Sequence, residues 1–170
     1  MELIETVELA SSASSITFSS IPQTYTDLKI LISARTDLSS NVDGLVIKPN
    51  NTTTNFSSIR LYGSGSSVNS GSLTNNEVVL INGNTTTTST FSNASVYISN
   101  YSSSANKSLS SDSVTENNGT QAYTTFYASL WSNSSAITSL VLASFAGNNF
   151  LSGTTASLYG ITAGGSGTVS

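Results

Sequence analysis

Apolar side chains fall at alternate positions along much of the chain. Leu3, Val7 and Leu9 are separated by polar neighbours, and Ile16 and Phe18 repeat the spacing. The stretch DLKILISAR places Leu28, Ile30, Ile32 and Ala34 on one face and Lys29, Ser33 and Arg35 on the other. A period of two marks a strand with one face toward a core. The same reading predicts strands over 45–48, 57–62, 77–81, 94–100, 107–115, 122–131, 137–145 and 156–161. With the first three, this makes about ten or eleven short strands, a number and spacing that suit an antiparallel sandwich or barrel.

Turn-forming residues divide these runs: Ile21-Pro22-Gln23, Asp43-Gly44, Pro49-Asn50-Asn51, Gly63-Ser64-Gly65, Asn82-Gly83-Asn84, Asn117-Asn118-Gly119, Gly147-Asn148-Asn149 and Ser152-Gly153. Each supplies a preset φ or tolerance of a positive one. No window carries a sustained period of 3.6 with helix caps, so helix is expected to be minor. Two uncharged threonine-rich segments, NNTTTNFSS and NGNTTTTSTFSN, read as edge strands or hydroxyl ladders because threonine favours extended backbone. No internal repeat is present. One domain over 1–162 is expected, followed by a Gly/Ser-rich tail over 163–170.

Composition narrows the class. Ser, Thr and Asn account for 77 of the 170 residues, charged residues for only 8%, and apolar residues for 37%. That apolar share separates the chain from disordered polar tracts and implies a folded domain with a hydroxyl-rich surface. The net charge is −4, and the five basic residues (Lys29, Arg35, Lys48, Arg60 and Lys107) are scattered, so nucleic acid is not an expected partner. No apolar run reaches membrane-spanning length and no basic-then-apolar leader opens the chain, so neither membrane nor export is expected. Cysteine and histidine are both absent, which excludes disulfides and thiolate or imidazole metal sites.

The candidate chemistry is sparse. A serine nucleophile needs a base, and without histidine only Lys29, Lys48 and Lys107 are available, none in a Ser-x-x-Lys motif. Glycoside hydrolysis needs two acids facing one another. Asp112 and Glu116 form the best pair, while Glu2, Glu5 and Glu8 read as a solvated or intersubunit strand. Asp37, Ser39, Asn41 and Asp43 alternate before Gly44 as oxygen ligands for calcium would. The glycine lies two places late and no acid closes the loop, so the stretch reads as a polar hairpin loop between Arg35 and Leu45. Tyr97, Tyr101, Tyr123, Tyr127 and Trp131 are candidates for an aromatic platform under sugar rings. However, Phe126, Ala128 and Leu130 occupy the opposite parity from Tyr123, Tyr127 and Trp131, which reads as a central strand buried on both faces. Asn-x-Ser/Thr triplets such as Asn51-Thr52-Thr53 follow from composition. No catalytic, cofactor-binding or metal-binding residue is assigned, no cofactor is expected, and the chain is not read as an enzyme.

Three stretches carry a family likeness: SSITFSSIPQTYTDLKILISAR, ASVYISNYSSSANKSLSSDSVTENN and LWSNSSAITSLVLASFAGNNFLSGTTASLYGI. They resemble small virion structural proteins of tailed bacteriophages, labelled structural or tail-fibre proteins, over nearly the whole chain up to Ile161. The pairing of Ile-Pro-x-x-Tyr-x-Asp-Leu near the start with Leu-Tyr-Gly-Ile near the end is the main mark. The resemblance implies an antiparallel β-sandwich of jelly-roll type that works as a homotrimer on the virion, with Pro22 fixing a turn, Leu28, Ile30 and Ile32 in the core, and Leu158 and Ile161 in the last strand. It implies no catalytic residues. The function expected first is a capsid decoration, or cement, protein bound to the major capsid protein or other virion proteins on the capsid surface. Its strand termini would pair with adjacent protein by strand addition, and the Gly/Ser tail would thread over a neighbour. The alternative is a tail-fibre or receptor-binding knob that reads host surface glycans.

Overall fold

A computed structural model describes residues 1–119 and 121–162, so the tail expected over 163–170, and its threading, lie outside the described residues. Among them twelve strands and no helix are found. They are β1 (Glu2–Glu8), β2 (Ser15–Phe18), β3 (Asp27–Ala34), β4 (Val42–Pro49), β5 (Phe56–Gly63), β6 (Val68–Leu73), β7 (Glu77–Asn82), β8 (Ser92–Ile98), β9 (Lys107–Glu116), β10 (Ala122–Trp131), β11 (Leu140–Ser144) and β12 (Thr155–Ile161). All pair antiparallel, in an eight-stranded sheet ordered β1-β12-β3-β8-β9-β10-β5-β6 and a four-stranded sheet ordered β2-β11-β4-β7.

The winding is that of a jelly roll. β1 lies against β12, β2 against β11, β3 against β8 and β4 against β7, so the chain behaves as one long hairpin folded over into two layers. Two further hairpins are inserted into this wind. One is β5–β6, between β4 and β7, and the other is β9–β10, between β8 and β11. They join through the β10–β5 ladder and extend the first sheet beyond β8. We call this four-stranded extension the wing.

The core forms where the alternating faces of the two layers meet. Leu28, Ile30 and Ile32 of β3, Val96 and Ile98 of β8, and Leu158 of β12 face Phe18, Leu45, Ile47, Ile81, Leu140 and Leu142 of the smaller sheet, and all are buried. Each such side chain contributes about 1.5–3 kcal/mol through loss of apolar surface to water. Ile161 has the other parity and stays half-exposed. The Ile-Pro-Gln-Thr-Tyr-Thr-Asp-Leu and Leu-Tyr-Gly-Ile stretches meet directly. β12 pairs with β3, the Thr26 amide donates to the Ile161 carbonyl at 2.8 Å, and the Tyr25 ring fills the place of a side chain at Gly160.

Several expectations are corrected. Strand β6 carries no apolar alternation, because both its faces are largely exposed at the edge of the sheet. Asp43-Gly44 is not a turn: both residues lie inside β4, where Asp43 is buried and accepts hydrogen bonds from Thr36 Oγ1 (2.8 Å) and Ser144 Oγ (2.7 Å). The threonine runs 52–54 and 85–88 lie in loops and turns, not strands, although the segments around them run into β5, β7 and β8. The second of them wraps Arg35, which is buried rather than solvent-facing. The Arg35 guanidinium donates to the carbonyls of Asn84 (3.0 Å), Thr86 (3.1 Å), Thr87 and Thr90 (3.3 Å). Strand β10 is buried on one face only.

Candidate functional site

The wing departs from the usual polarity of a sandwich in part: Phe56, Leu109, Tyr127 and Trp131 are buried on its inner face, but hydroxyls are buried among them. Its inner face carries buried hydroxyls: Ser58 of β5, Ser111, Ser113 and Thr115 of β9, and Thr125 and Ser129 of β10. Most are paired: Ser58 Oγ donates to Ser129 Oγ at 2.8 Å and Ser113 is bonded to Thr125 at 2.5 Å within the layer, while Ser111 Oγ donates across to the Val78 carbonyl of β7. The outer face also carries apolar side chains. Ile59 is 61% exposed, Phe126 52%, Leu61 44% and Leu130 37%.

Register brings these outer residues together. Phe126 lies directly opposite Leu61, and Ile59 opposite Ala128, with Leu130 two positions further along β10. Cross-strand neighbours of this kind are about 5 Å apart, so the four side chains form one continuous patch. Val114 of β9 and Val68 of β6 extend it, and Asp112 faces Phe126 across the β9–β10 ladder. Two shallow depressions, of ≈ 470 and ≈ 510 Å³, are lined by Ile59 with Phe126 and by Ile59 with Leu130. The patch amounts to on the order of 500 Å² of apolar surface, at the upper end of what monomeric soluble proteins leave in water.

The wing is clamped to the smaller sheet by one charged cluster. Glu77, at the start of β7, accepts at Oε1 from Tyr127 Oη (2.6 Å) and from Arg60 Nη1 (3.2 Å). Burial, and then the hydrogen bond to Glu77, push the Tyr127 phenol well above its ordinary pKa. The Arg60 guanidinium also lies 5.3 Å from the centre of the Tyr62 ring, a cation–π contact that orients this tyrosine.

Beyond the clamp the two sheets splay, leaving an open groove of ≈ 400 Å³. One wall is Tyr62, Ser64, Ser67 and Asn69 of the β5–β6 hairpin with Tyr123 of β10. The other is Ser40, Asn41 and Val42 before and in β4 with Leu80 of β7. None of these lining residues is charged.

The residues singled out from the sequence are placed apart. Asp37 accepts from the Asn148 and Asn149 amides at 2.9–3.2 Å, which holds its carboxyl below the usual range, Asn41 Oδ1 accepts from Thr85 Oγ1 at 2.6 Å, and Asp43 faces the interior of β4. The four oxygen side chains of that stretch do not converge. Asp112 and Glu116 are four residues apart on one strand, about 13 Å, too far for a hydrolytic pair. Glu116 is moreover engaged by Thr87 and the Asn118 amide. Glu2, Glu5 and Glu8 are exposed along β1. Lys29 and Lys48 lie on outward faces, whereas Lys107 is buried, with Nζ donating to the Ser103 (2.8 Å) and Ala105 (2.5 Å) carbonyls.

The aromatic platform is dispersed. Tyr101, Tyr127 and Trp131 are core residues, and Tyr97 Oη donates to Asp27 at 2.5 Å. Only Tyr123 lines the groove, and its companion is Tyr62, which single-strand parity did not select. The two edges of the large sheet also differ. β1 carries the three glutamates and a bulge between Leu3 and Glu5, which guard it against pairing, whereas β6 is uncharged and free of proline. Comparisons of the chain with family models, with curated proteins and with solved structures gave no match.

Proposed function

We propose that the chain is a virion structural protein of a tailed bacteriophage, a capsid decoration protein that associates as a homotrimer and holds the shell by noncovalent contacts. The observation that carries this reading is the wing. Two hairpins inserted into a jelly roll present Ile59, Leu61, Phe126 and Leu130 to solvent although several hydroxyls are buried on the face beneath them. Such an arrangement costs stability in an isolated domain and is offset when another protein covers the patch. Self-association through the outer face of the wing forms the trimer. The open, uncharged edge of β6 then offers a ladder for strand addition to the adjoining shell, and many copies multiply a modest contact.

Imaging of particles that carry the chain, with a density label fused ahead of Met1, tests the assignment. Label arrayed over the head in the pattern of the shell lattice is the expected result. Label confined to the tail would replace the assignment with the tail-fibre reading, and its absence from particles would end both. Measuring the mass of the purified chain in solution tests the trimer separately.

A further inference from the structure

We propose that the groove between the splayed ends of the two sheets binds a neutral carbohydrate. Tyr62 and Tyr123 project from the same face of neighbouring strands, since Tyr62 pairs with Thr125 and Tyr123 lies two positions before it on β10. That diagonal separation is about 7 Å, close enough for both rings to contact one pyranose or two linked ones. Aromatic faces suit the C–H face of a sugar, because they bury apolar surface while leaving the hydroxyl rim free to hydrogen-bond.

The rim is supplied. Asn41 and Asn69 contribute amides, and Ser40, Ser64 and Ser67 contribute hydroxyls, on both walls. An amide both donates and accepts, so it matches a sugar hydroxyl pair in either orientation. The Asn41 carbonyl oxygen is held by Thr85 Oγ1 at 2.6 Å, which fixes the side chain and directs its amide donors elsewhere. Ser64 and Ser67 are bonded to one another at 3.0 Å, and Asn69 Nδ2 reaches Ser67 Oγ at 3.4 Å, so this wall is organised before any ligand arrives. The Tyr62 ring is likewise preset by Arg60, itself fixed by Glu77. Preorganisation of this kind reduces the ordering cost of binding.

The absence of charge among the nine lining residues selects the ligand class. The Arg60 guanidinium beside the Tyr62 ring is already paired with Glu77 at 3.2 Å, so neither an anion nor an ammonium gains an unpaired counter-charge in the lining. The volume of ≈ 400 Å³ lies within the range of small-ligand pockets and admits a short oligosaccharide. This inference does not depend on the chain's position on a particle, and either can fail without the other.

Saturation-transfer NMR on the full chain, with neutral trisaccharides of glucose, galactose, mannose and N-acetylhexosamine as probes, tests it. Saturation of ring protons in at least one trisaccharide is expected, with Tyr123→Ala and Tyr62→Ala each weakening binding tenfold or more. Asn69→Asp, which places a negative charge in the groove, should weaken it without removing an aromatic ring. Thr17→Ala, on the exposed face of β2 and away from the groove, should leave it unchanged. Retained thermal unfolding of the half-exposed Tyr123 variant separates loss of contact from loss of fold. The inference is overturned by no transfer to any neutral trisaccharide, by binding that survives both tyrosine truncations, or by stronger binding of sialylated analogues.

Discussion

Tyr127 and Glu77 meet across the two layers of the sandwich, the phenol donating to Oε1 at 2.6 Å with both side chains buried. This hydrogen bond to an ionised acceptor joins the inserted wing to the edge of the smaller sheet. Tyr127→Phe keeps the ring and removes the donor, leaving Glu77 with Arg60 alone. Bonds of this type contribute about 1.5–3 kcal/mol, so the midpoint of urea unfolding should fall accordingly. An unchanged midpoint would show that the clamp is unnecessary to the wing.

Gly44 is the hidden partner of that clamp. A Cβ built there would stand 2.9 Å from Glu77 Cδ and would overlap Oε2. Gly44→Ala must therefore displace the carboxylate from Arg60 and Tyr127, at a cost of about 1–3 kcal/mol. Because both substitutions break the same bond, Gly44→Ala combined with Tyr127→Phe should cost less than the sum of the two. Thermal unfolding of the three variants reads this directly, and strict additivity would contradict it.

Alkaline pH should loosen the fold. Tyr127 is raised by burial and by Glu77, Tyr97 by its bond to Asp27 and then by burial, and Tyr101 by burial. All three keep their protons longer in the folded chain than in the unfolded one. Their stabilisation is therefore complete below the ordinary tyrosine pKa of about 10, and is lost as the pH rises above it through the raised folded values. Lys107 acts in the opposite sense: burial lowers its pKa, so its contribution improves as the pH climbs toward its unfolded value of 10.5. Urea titrations from pH 8 to 12 should show stability declining above about pH 10, with a shallower decline in Tyr127→Phe.

The two faces of the large sheet should respond differently to substitution. Leu158→Ala opens a hole in the core and should cost about 2–5 kcal/mol. Ile59→Thr and Phe126→Thr keep a residue suited to a strand and remove only exposed apolar surface, so stability should change by less than about 1 kcal/mol. Light scattering should nevertheless report a monomer for the doubly substituted chain and the proposed trimer for the unaltered one. Persistence of the trimer would move the interface away from the wing.

Much of the jelly roll was legible in alternation alone, because Leu28, Ile30 and Ile32 face a covering layer that rewards a period of two. Leu158 was legible in the alternation of the last strand, and the structure adds how that strand meets the stretch before β3: Tyr25 packs where Gly160 leaves room. What escaped was set by partners distant in sequence. Arg35 is held by carbonyls 49 to 55 residues away, and a backbone acceptor leaves no trace in residue type. Gly44 reads as a turn residue because its need for space comes from Glu77 on another strand. The groove escaped for the same reason, since Tyr62 and Tyr123 become neighbours only when β5 joins β10, whereas the strand parity that grouped Tyr123 with Tyr127 and Trp131 mixed a surface residue with core ones.

The pairing of first strand with last has a consequence for synthesis. Glu8 lies beside Thr155, so about 150 residues must leave the ribosome after β1 before its ladder can form. At ordinary elongation speeds that interval is on the order of ten seconds. Until β12 arrives, β1 and β3 have no shared neighbour and the oily side of β3 has no complete cover, which makes this nascent chain a natural client for chaperones and makes closure of the large sheet a late step.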